Sequence, residues 1–287
     1  LKSVASRGSS AEEREAYDGD PVGLAKGRKS PRAVAFQQAV TLSESAGVRY
    51  LHFGTEWVQG AMRIARPYHL ELEYQQQMMA PMLLLPRPQR VLQLGLGAAA
   101  LAKFCRRYLP FAETVVVELE QAVIKAARRW FALPEEDDHL TVVCDDAMAF
   151  LQGRRRGGFS DWLQVDLYDA RARGPVYDDP AFYAACRRVL REPGIASFNL
   201  FGRSCRPSLD RIAAAFNGRV IVMDEARAGN RVALAAVGPT IRIEARQLRE
   251  RAAAIEARSA LPARRWLRGL QRHNGAMPLK LKEGLCM

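Results

Sequence analysis

From Arg90 to Val237 the chain alternates between short β-prone apolar runs and longer segments whose apolar residues recur three and four apart. The β-prone runs are VLQL, TVVVE, LTVV, WLQVD, IASFNL, RVIVM and RVALAAV. Between the first six lie AAALAKFCRRYL, QAVIKAARRWF, DAMAFL, PAFYAACRRVL and SLDRIAAAF, which have helical spacing. Near-continuous apolar strands separated by amphipathic helices predict an α/β domain with a parallel, doubly covered sheet. RVIVM and RVALAAV leave no room for a helix between them, so they predict an antiparallel hairpin at one sheet edge.

The flanks read differently. AVAFQQAVTL and VRYLHFG, joined by SESAG, and then TEWVQGAM predict a small antiparallel sheet. HLELEYQQQMMAPMLLL predicts a helix stopped by Pro86 and Pro88, leading into the main domain. Beyond Pro239, Ile241 to Ser259 carries a sparse stripe of Leu248, Ala252 and Ile255 on an Arg-rich helix, which packs by one face. Residues 1–32 are rich in Gly, Ser, Lys, Arg and Glu without periodicity and read as a flexible leader. The expected organisation is therefore a leader over 1–32, a small β domain with its linking helix over 33–88, the α/β domain over 89–239 and a basic helical tail over 240–287.

Composition narrows the partners. The 287 residues carry a net charge of +12, but the last 47 hold +7 of it and residues 51–240 only +3. A nearly neutral body with no RNA or DNA motif reads as a solvated surface rather than a nucleic-acid binder. Apolar runs such as Met82 to Leu85 fall far short of the roughly 20 residues of a spanning helix, so no membrane passage is expected. The opening residues show no apolar signal core, and a cytoplasmic location is the expectation. Cys105, Cys144, Cys186, Cys205 and Cys286 are odd in number with no CxxC spacing, and read as small buried apolar residues in a reducing compartment. His52, His69, His139 and His273 have no partner at helical spacing, so no metal site is expected.

Candidate chemistry gathers at strand ends. Gly95 and Gly97 follow a strand and open a helix, where a ligand can approach backbone N–H groups at a positive helix end; Ala98 to Ala100 can equally be packing residues. Glu118 ends TVVVE, 21 residues after Gly97, where a carboxylate can accept both ribose hydroxyls; the other reading is an exposed strand-end charge. Asp145 and Asp146 end the next strand, suited to an adenine amino group, with Asp146 also a good helix N-cap. In DLYD, Asp166 closes the fourth strand and Asp169 follows three residues later. In a doubly wound sheet of the usual order the first and fourth strands are neighbours where strand order reverses, so Asp166 is expected beside the Gly95 loop. Two acids at such a site call for a cationic or proton-bearing ligand, and an amine is the natural one. The alternative is that one caps the turn ARARGP and the other pairs with Arg171 or Arg173.

From about Ala39 to Ala236 the sequence resembles the polyamine aminopropyltransferases, spermidine synthase and its bacterial relatives. The resemblance rests on VRYLHFGTEWVQGAM, Tyr74 and Gln75 in place of a Tyr-His or Tyr-Gln pair, the glycine loop, VVVELE, CDDAMAFL, and DLYD followed by Phe182 and Tyr183. It implies a seven-stranded Rossmann-like sheet of the adenosylmethionine-dependent transferase type behind a small N-terminal β domain, and a homodimer. By that likeness Glu118 holds the ribose, Asp145 the adenine and Asp166 is the catalytic acid/base residue. Asp169, Tyr74 and Gln75 line the amine channel, with Gln59 a looser match. The implied reaction moves a 3-aminopropyl group from decarboxylated S-adenosylmethionine to an amine such as putrescine, without a tightly bound cofactor.

The sequence departs from the family in three places. Ala98 stands where the usual GGGDGG loop carries an Asp facing the donor, so weaker discrimination against intact S-adenosylmethionine is expected. DLYDA lacks the family's proline, and DEARAGNRVAL replaces a distal Tyr-Pro segment, with Glu225 the nearest acidic substitute. The rival readings are a methyltransferase using intact S-adenosylmethionine and a nucleoside-binding protein without transfer activity.

Overall fold

The computed structural model describes residues 40–169, 171, 174–202, 205–267 and 285–286. These belong to one compact unit, Ala35–Met287; the expected leader lies outside the described residues. A three-stranded antiparallel sheet comes first, in the order β1 (Thr41–Ser45), β2 (Val48–His52), β3 (Gly60–Arg63). Its boundaries differ from the sequence reading. SES belongs to β1 rather than to the linker, and the reversal is made by Ala46 and Gly47 alone, both at positive φ (48° and 75°). Such a pair matches the twist of the flanking strands, so the hairpin closes with Ser45 opposite Val48. TEWVQGAM is strand only from Gly60, and the stretch before it is a loop tied by His52 Nδ1 donating to Trp57 O at 3.0 Å.

The segment 69–85 is not one helix. It forms α1 (Glu73–Met78) and then a 3₁₀ turn over Ala80–Leu83. Pro81 is the cause: it has no N–H for the Gln77 carbonyl, and its ring disfavours helical geometry at Ala80.

The main domain runs β4 (Arg90–Leu94), α2 (Ala100–Tyr108), β5 (Glu113–Glu118), α3 (Gln121–Trp130), β6 (Leu140–Cys144), α4 (Ala147–Gln152), β7 (Ser160–Val165), α5 (Pro180–Val189), β8 (Leu190–Phe201), α6 (Arg206–Ala215), β9 (Val220–Val222) and β10 (Asn230–Val237). Its seven strands lie in the order β6-β5-β4-β7-β8-β10-β9. The first five in sequence are parallel, and β10 is antiparallel to both β8 and β9. The α/β reading and the edge hairpin therefore hold. β8 is longer than IASFNL because it leaves α5 directly, with a register shift against β7 between Ser160 and Trp162.

Alternate side chains of these strands enter two apolar layers. On one face Val91, Trp162, Ile195, Val232 and Leu234 pack against Phe104 of α2 and against Met78, Met79 and Leu83. On the other, Leu92, Leu94, Leu163, Val165 and Phe198 pack against Phe150 of α4, Phe182 and Tyr183 of α5 and Ile212 of α6. Cys105, Cys186 and Cys205 are buried as expected, but Cys144 is exposed because it ends β6, at the sheet edge.

After β10 the chain forms β11 (Arg242–Ile243), α7 (Ala245–Ser259) and a helical segment from Ala263 to Leu267. Leu248, Ala252 and Ile255 join the first apolar layer, as their spacing predicts, and Leu261, Trp266 and Leu267 join them there. Arg251 of α7 donates to Leu83 O at 2.7 Å, so this region is docked on the linking segment. β12 (Leu285–Cys286) pairs antiparallel with β11. Among the described residues no helix is long and apolar enough to cross a membrane.

Candidate active site

β4 lies between β5 and β7, so the crossovers leave its two sides in opposite directions and a crevice opens at the carboxyl ends of the strands. A cavity of about 480 Å³ occupies that place, walled also by the loop before β3 and by the start of α1. Gly95 makes the juxtaposition possible. It sits at φ 94°, and a Cβ there would lie 2.2 Å from Asp166 O. Gly95 N donates to Val117 O at 2.8 Å and Asp166 N to Leu94 O at 3.0 Å, which prolongs both ladders past the strand ends and brings loop and acid together. Gly97, at φ 50°, presses on the carbonyl of Gln59, 3.2 Å from where its Cβ would be.

Glu118 is 9% exposed, which disposes of the exposed strand-end reading. Its Oε2 accepts from Leu96 N at 2.9 Å and its Oε1 from Glu120 N at 3.0 Å. Burial raises its pKa above the ordinary carboxylate range, and backbone N–H groups of Glu120, Leu96 and Gly97 oppose that rise. The same carboxylate that is suited to a ribose thus braces the glycine loop. Asp145 is exposed on the cavity wall, with Oδ1 accepting from Asp146 N at 2.8 Å. Asp146 lines the cavity and is also the N-cap of α4, accepting from Ala149 N at 2.9 Å while its other oxygen takes the Tyr177 hydroxyl.

Asp166 is the centre of a hydrogen-bonded chain. Its Oδ1 accepts from Asn199 Nδ2 at 2.8 Å and its Oδ2 from the Tyr74 hydroxyl at 3.2 Å. Asn230 Nδ2 in turn donates to Asn199 Oδ1 at 3.0 Å, and Gln75 Nε2 to the Tyr74 oxygen at 3.4 Å. Desolvation pushes the Asp166 pKa up, and the bonds from Asn199 and Tyr74 hold it down in part. Burial, with Asp166 nearby, raises the Tyr74 phenol well above its usual value, so Tyr74 stays a neutral donor. Gln75 is 4% exposed on the cavity wall, and its Oε1 is buried with no hydrogen-bond partner: an acceptor left for a ligand N–H.

Asn199, Asn230 and Tyr168, which donates to Asn199 O at 2.9 Å, escaped the sequence reading. The signal for Asn199 was present: an amide in IASFNL at the same sheet edge as Asp166. Asp169 differs from its companions. It is not among the residues lining the cavity; Arg171 N donates to its Oδ1 at 2.9 Å, a turn-closing bond, and Gln59 Nε2 donates to its carbonyl at 3.0 Å. Gln59 does line the cavity and ties the N-terminal sheet to the DLYD loop.

Ala98 also departs from expectation. It is 1% exposed and lies under β3, where a Cβ on Gly60 would be 2.6 Å from its own. Its neighbours are Leu51, Met62, Val123 and Phe131, and it is absent from the cavity wall. A carboxylate here would be desolvated inside an apolar cluster rather than presented to the cavity.

The cavity wall holds seven carboxylates, from Glu56, Glu73, Glu118, Glu120, Asp145, Asp146 and Asp166, and no Lys, Arg or His among the described residues. In a chain of net charge +12 this gathers seven acidic side chains on one cavity wall.

Residues 71–199 match the family model of the spermine/spermidine synthase domain. A polyamine aminopropyltransferase of Chromobacterium violaceum is 31% identical over 249 residues, covering 86% of this chain and 95% of that protein. One from Neisseria meningitidis is 28% identical, covering 82% and 90%. A probable spermidine synthase structure from Corynebacterium glutamicum superposes with a TM-score of 0.62 at 20% identity, over 84% of this chain and 95% of that one, which shows the shared fold. With a relative of that identity matched over nearly its whole length, the chain belongs to the polyamine aminopropyltransferase family.

Proposed function

We propose that this protein transfers the 3-aminopropyl group of decarboxylated S-adenosylmethionine to an amine such as putrescine, releasing methylthioadenosine. The observation that carries this reading is the cavity's make-up: seven carboxylates and no described basic side chain line it, which favours a cationic ligand. The decarboxylated donor brings a sulfonium and an ammonium, and the acceptor arrives as an ammonium ion, its pKa near 10 in water. Asp166, held by Asn199 and Tyr74, is positioned to take one proton from it, directly or through water. The freed nitrogen lone pair then attacks the carbon bonded to sulfur. The N–C bond forms as the C–S bond breaks, and the electron pair stays on sulfur as the neutral thioether of methylthioadenosine. Glu118, Asp145 and Asp146 support a nucleoside at the other end of the cavity, and the unpartnered Gln75 Oε1 can accept from the amine. The resemblance also implies a homodimer, and the cytoplasmic location expected from the sequence goes with this reading.

Donor choice follows from the same charge. An intact S-adenosylmethionine carries its own carboxylate into an acidic cavity, and like-charge juxtaposition in a desolvated site costs several kcal/mol. Calorimetric titration of decarboxylated donor, intact donor and methylthioadenosine in parallel should place the decarboxylated donor at least about tenfold tighter than the intact one. Tighter binding of the intact donor would replace this reading with methyl transfer.

Glu118→Gln should weaken methylthioadenosine binding by roughly 10- to 100-fold, the equivalent of losing a charge-assisted hydrogen bond of about 1.5–3 kcal/mol. The amide has one acceptor oxygen where two N–H groups now find one each, so the glycine loop loses a tether as well. Equal affinity in parent and variant would remove Glu118 from nucleoside binding.

A further inference from the structure

Glu73 opens α1, one residue before Tyr74, and belongs to the same cavity wall as Ala226 and Ala228 of the β9–β10 connection. Its carboxylate is held in place from two sides. Oε2 accepts from Arg227 N at 2.9 Å, and Oε1 lies 3.3 Å from Nη2 of Arg265. Arg265 comes from the helical segment after α7, which is anchored by Ala263 (0% exposed) and Trp266 (4% exposed) on either side of it. A part of the chain that contributes no residue to the cavity wall thereby places a positive charge behind one of the wall's carboxylates.

On the aminopropyl-transfer reading the consequence concerns the acceptor: its attacking nitrogen is assigned to Asp166, and Glu73 stands on the wall next to Tyr74, which bonds Asp166. A carboxylate without a counter-ion attracts a second ammonium group; one already paired with a guanidinium projects a much weaker field into the cavity. We infer that Arg265 is a specificity-determining residue: by neutralising Glu73 beside Tyr74, it restrains the preference for diamines and lets amines with an uncharged far end compete. The inference rests on the aminopropyl-transfer reading and adds to it a determinant outside the cavity.

The test uses the full chain saturated with methylthioadenosine. Binding of 1,4-diaminobutane and of butan-1-amine is measured by calorimetry, and kcat and KM for each are measured with decarboxylated donor. Arg265→Gln should shift the diamine-to-monoamine affinity ratio about fivefold toward the diamine, the scale of one partly exposed ion pair, with the change in KM rather than kcat. Arg265→Lys, which keeps the charge, should retain the parent ratio. Glu73→Gln, which removes the wall carboxylate and leaves the Arg265 charge behind it without its partner, should shift the ratio the other way. An unmoved ratio in Arg265→Gln, an equal change for both amines, or no binding of either amine overturns the inference. If the ratio shifts as stated but the parent transfers no aminopropyl group to either amine, the inference stands and the proposed reaction falls.

Discussion

Asp166→Asn will lower kcat by at least about 10²-fold while methylthioadenosine affinity stays within a few-fold. The substitution is nearly isosteric, and the surrounding bonds can be kept. The new amide oxygen still accepts from Asn199 Nδ2, and the new amide N–H can donate to the Tyr74 oxygen, whose hydroxyl hydrogen rotates away. What is lost is the capacity to take a proton from the acceptor ammonium. The pH profile separates this loss from a merely structural one. Burial outweighs the two hydrogen bonds and sets the Asp166 pKa above the ordinary carboxylate range. The base is the deprotonated form, so parental kcat/KM should rise with pH through that elevated value, and the limb should vanish in the Asn variant. Full turnover by Asp166→Asn with every amine tried would take Asp166 out of the mechanism.

Gly95→Ala is expected to be the most damaging small change in the fold. At φ 94° an alanine is strained whatever the space, and its Cβ would stand 2.2 Å from the backbone oxygen of Asp166, which cannot swing aside as a side-chain tip could. Strain of about 1–3 kcal/mol joins a steric cost of about 1–3 kcal/mol, for a loss of roughly 2–6 kcal/mol. In a domain of this size that lowers Tm by roughly 10 °C. The relief available is to part β4 from the end of β7, which moves Asp166 away from the glycine loop and abolishes donor binding. Gly218→Ala is the control: φ is 73° there too, but nothing lies within 4 Å of the added Cβ, so only about 1 kcal/mol should be lost. Thermal melts and methylthioadenosine titration of both variants decide it, and equal melting shifts would refute the contact argument.

The parts of this protein that its sequence determined are those written in local pattern. Continuous apolar runs separated by amphipathic ones demand a covered parallel sheet, and the short gap between RVIVM and RVALAAV demands a hairpin. Once the strand order is known, Glu118, Asp145 and Asp166 must emerge on one edge because each sits at or just past the carboxyl end of a parallel strand. The helix that was expected across 69–85 shows the limit of pattern, since apolar spacing suited it and the single missing N–H of Pro81 broke it.

Tertiary structure alone decided which side chains meet. Asn199 reaches Asp166 from the neighbouring strand, and Asn230 reaches Asn199 only because β10 runs back along β8 with Asn230 opposite Phe201. Ala98 faces Gly60 instead of the cavity, because β3 packs down on the glycine loop. Asp169 turns to Arg171 N, and Glu73 meets Arg265 across most of the chain's length. No local preference encodes such pairs. They depend on strand register and on how separate elements dock, and a shift of one residue in either would put different atoms in contact.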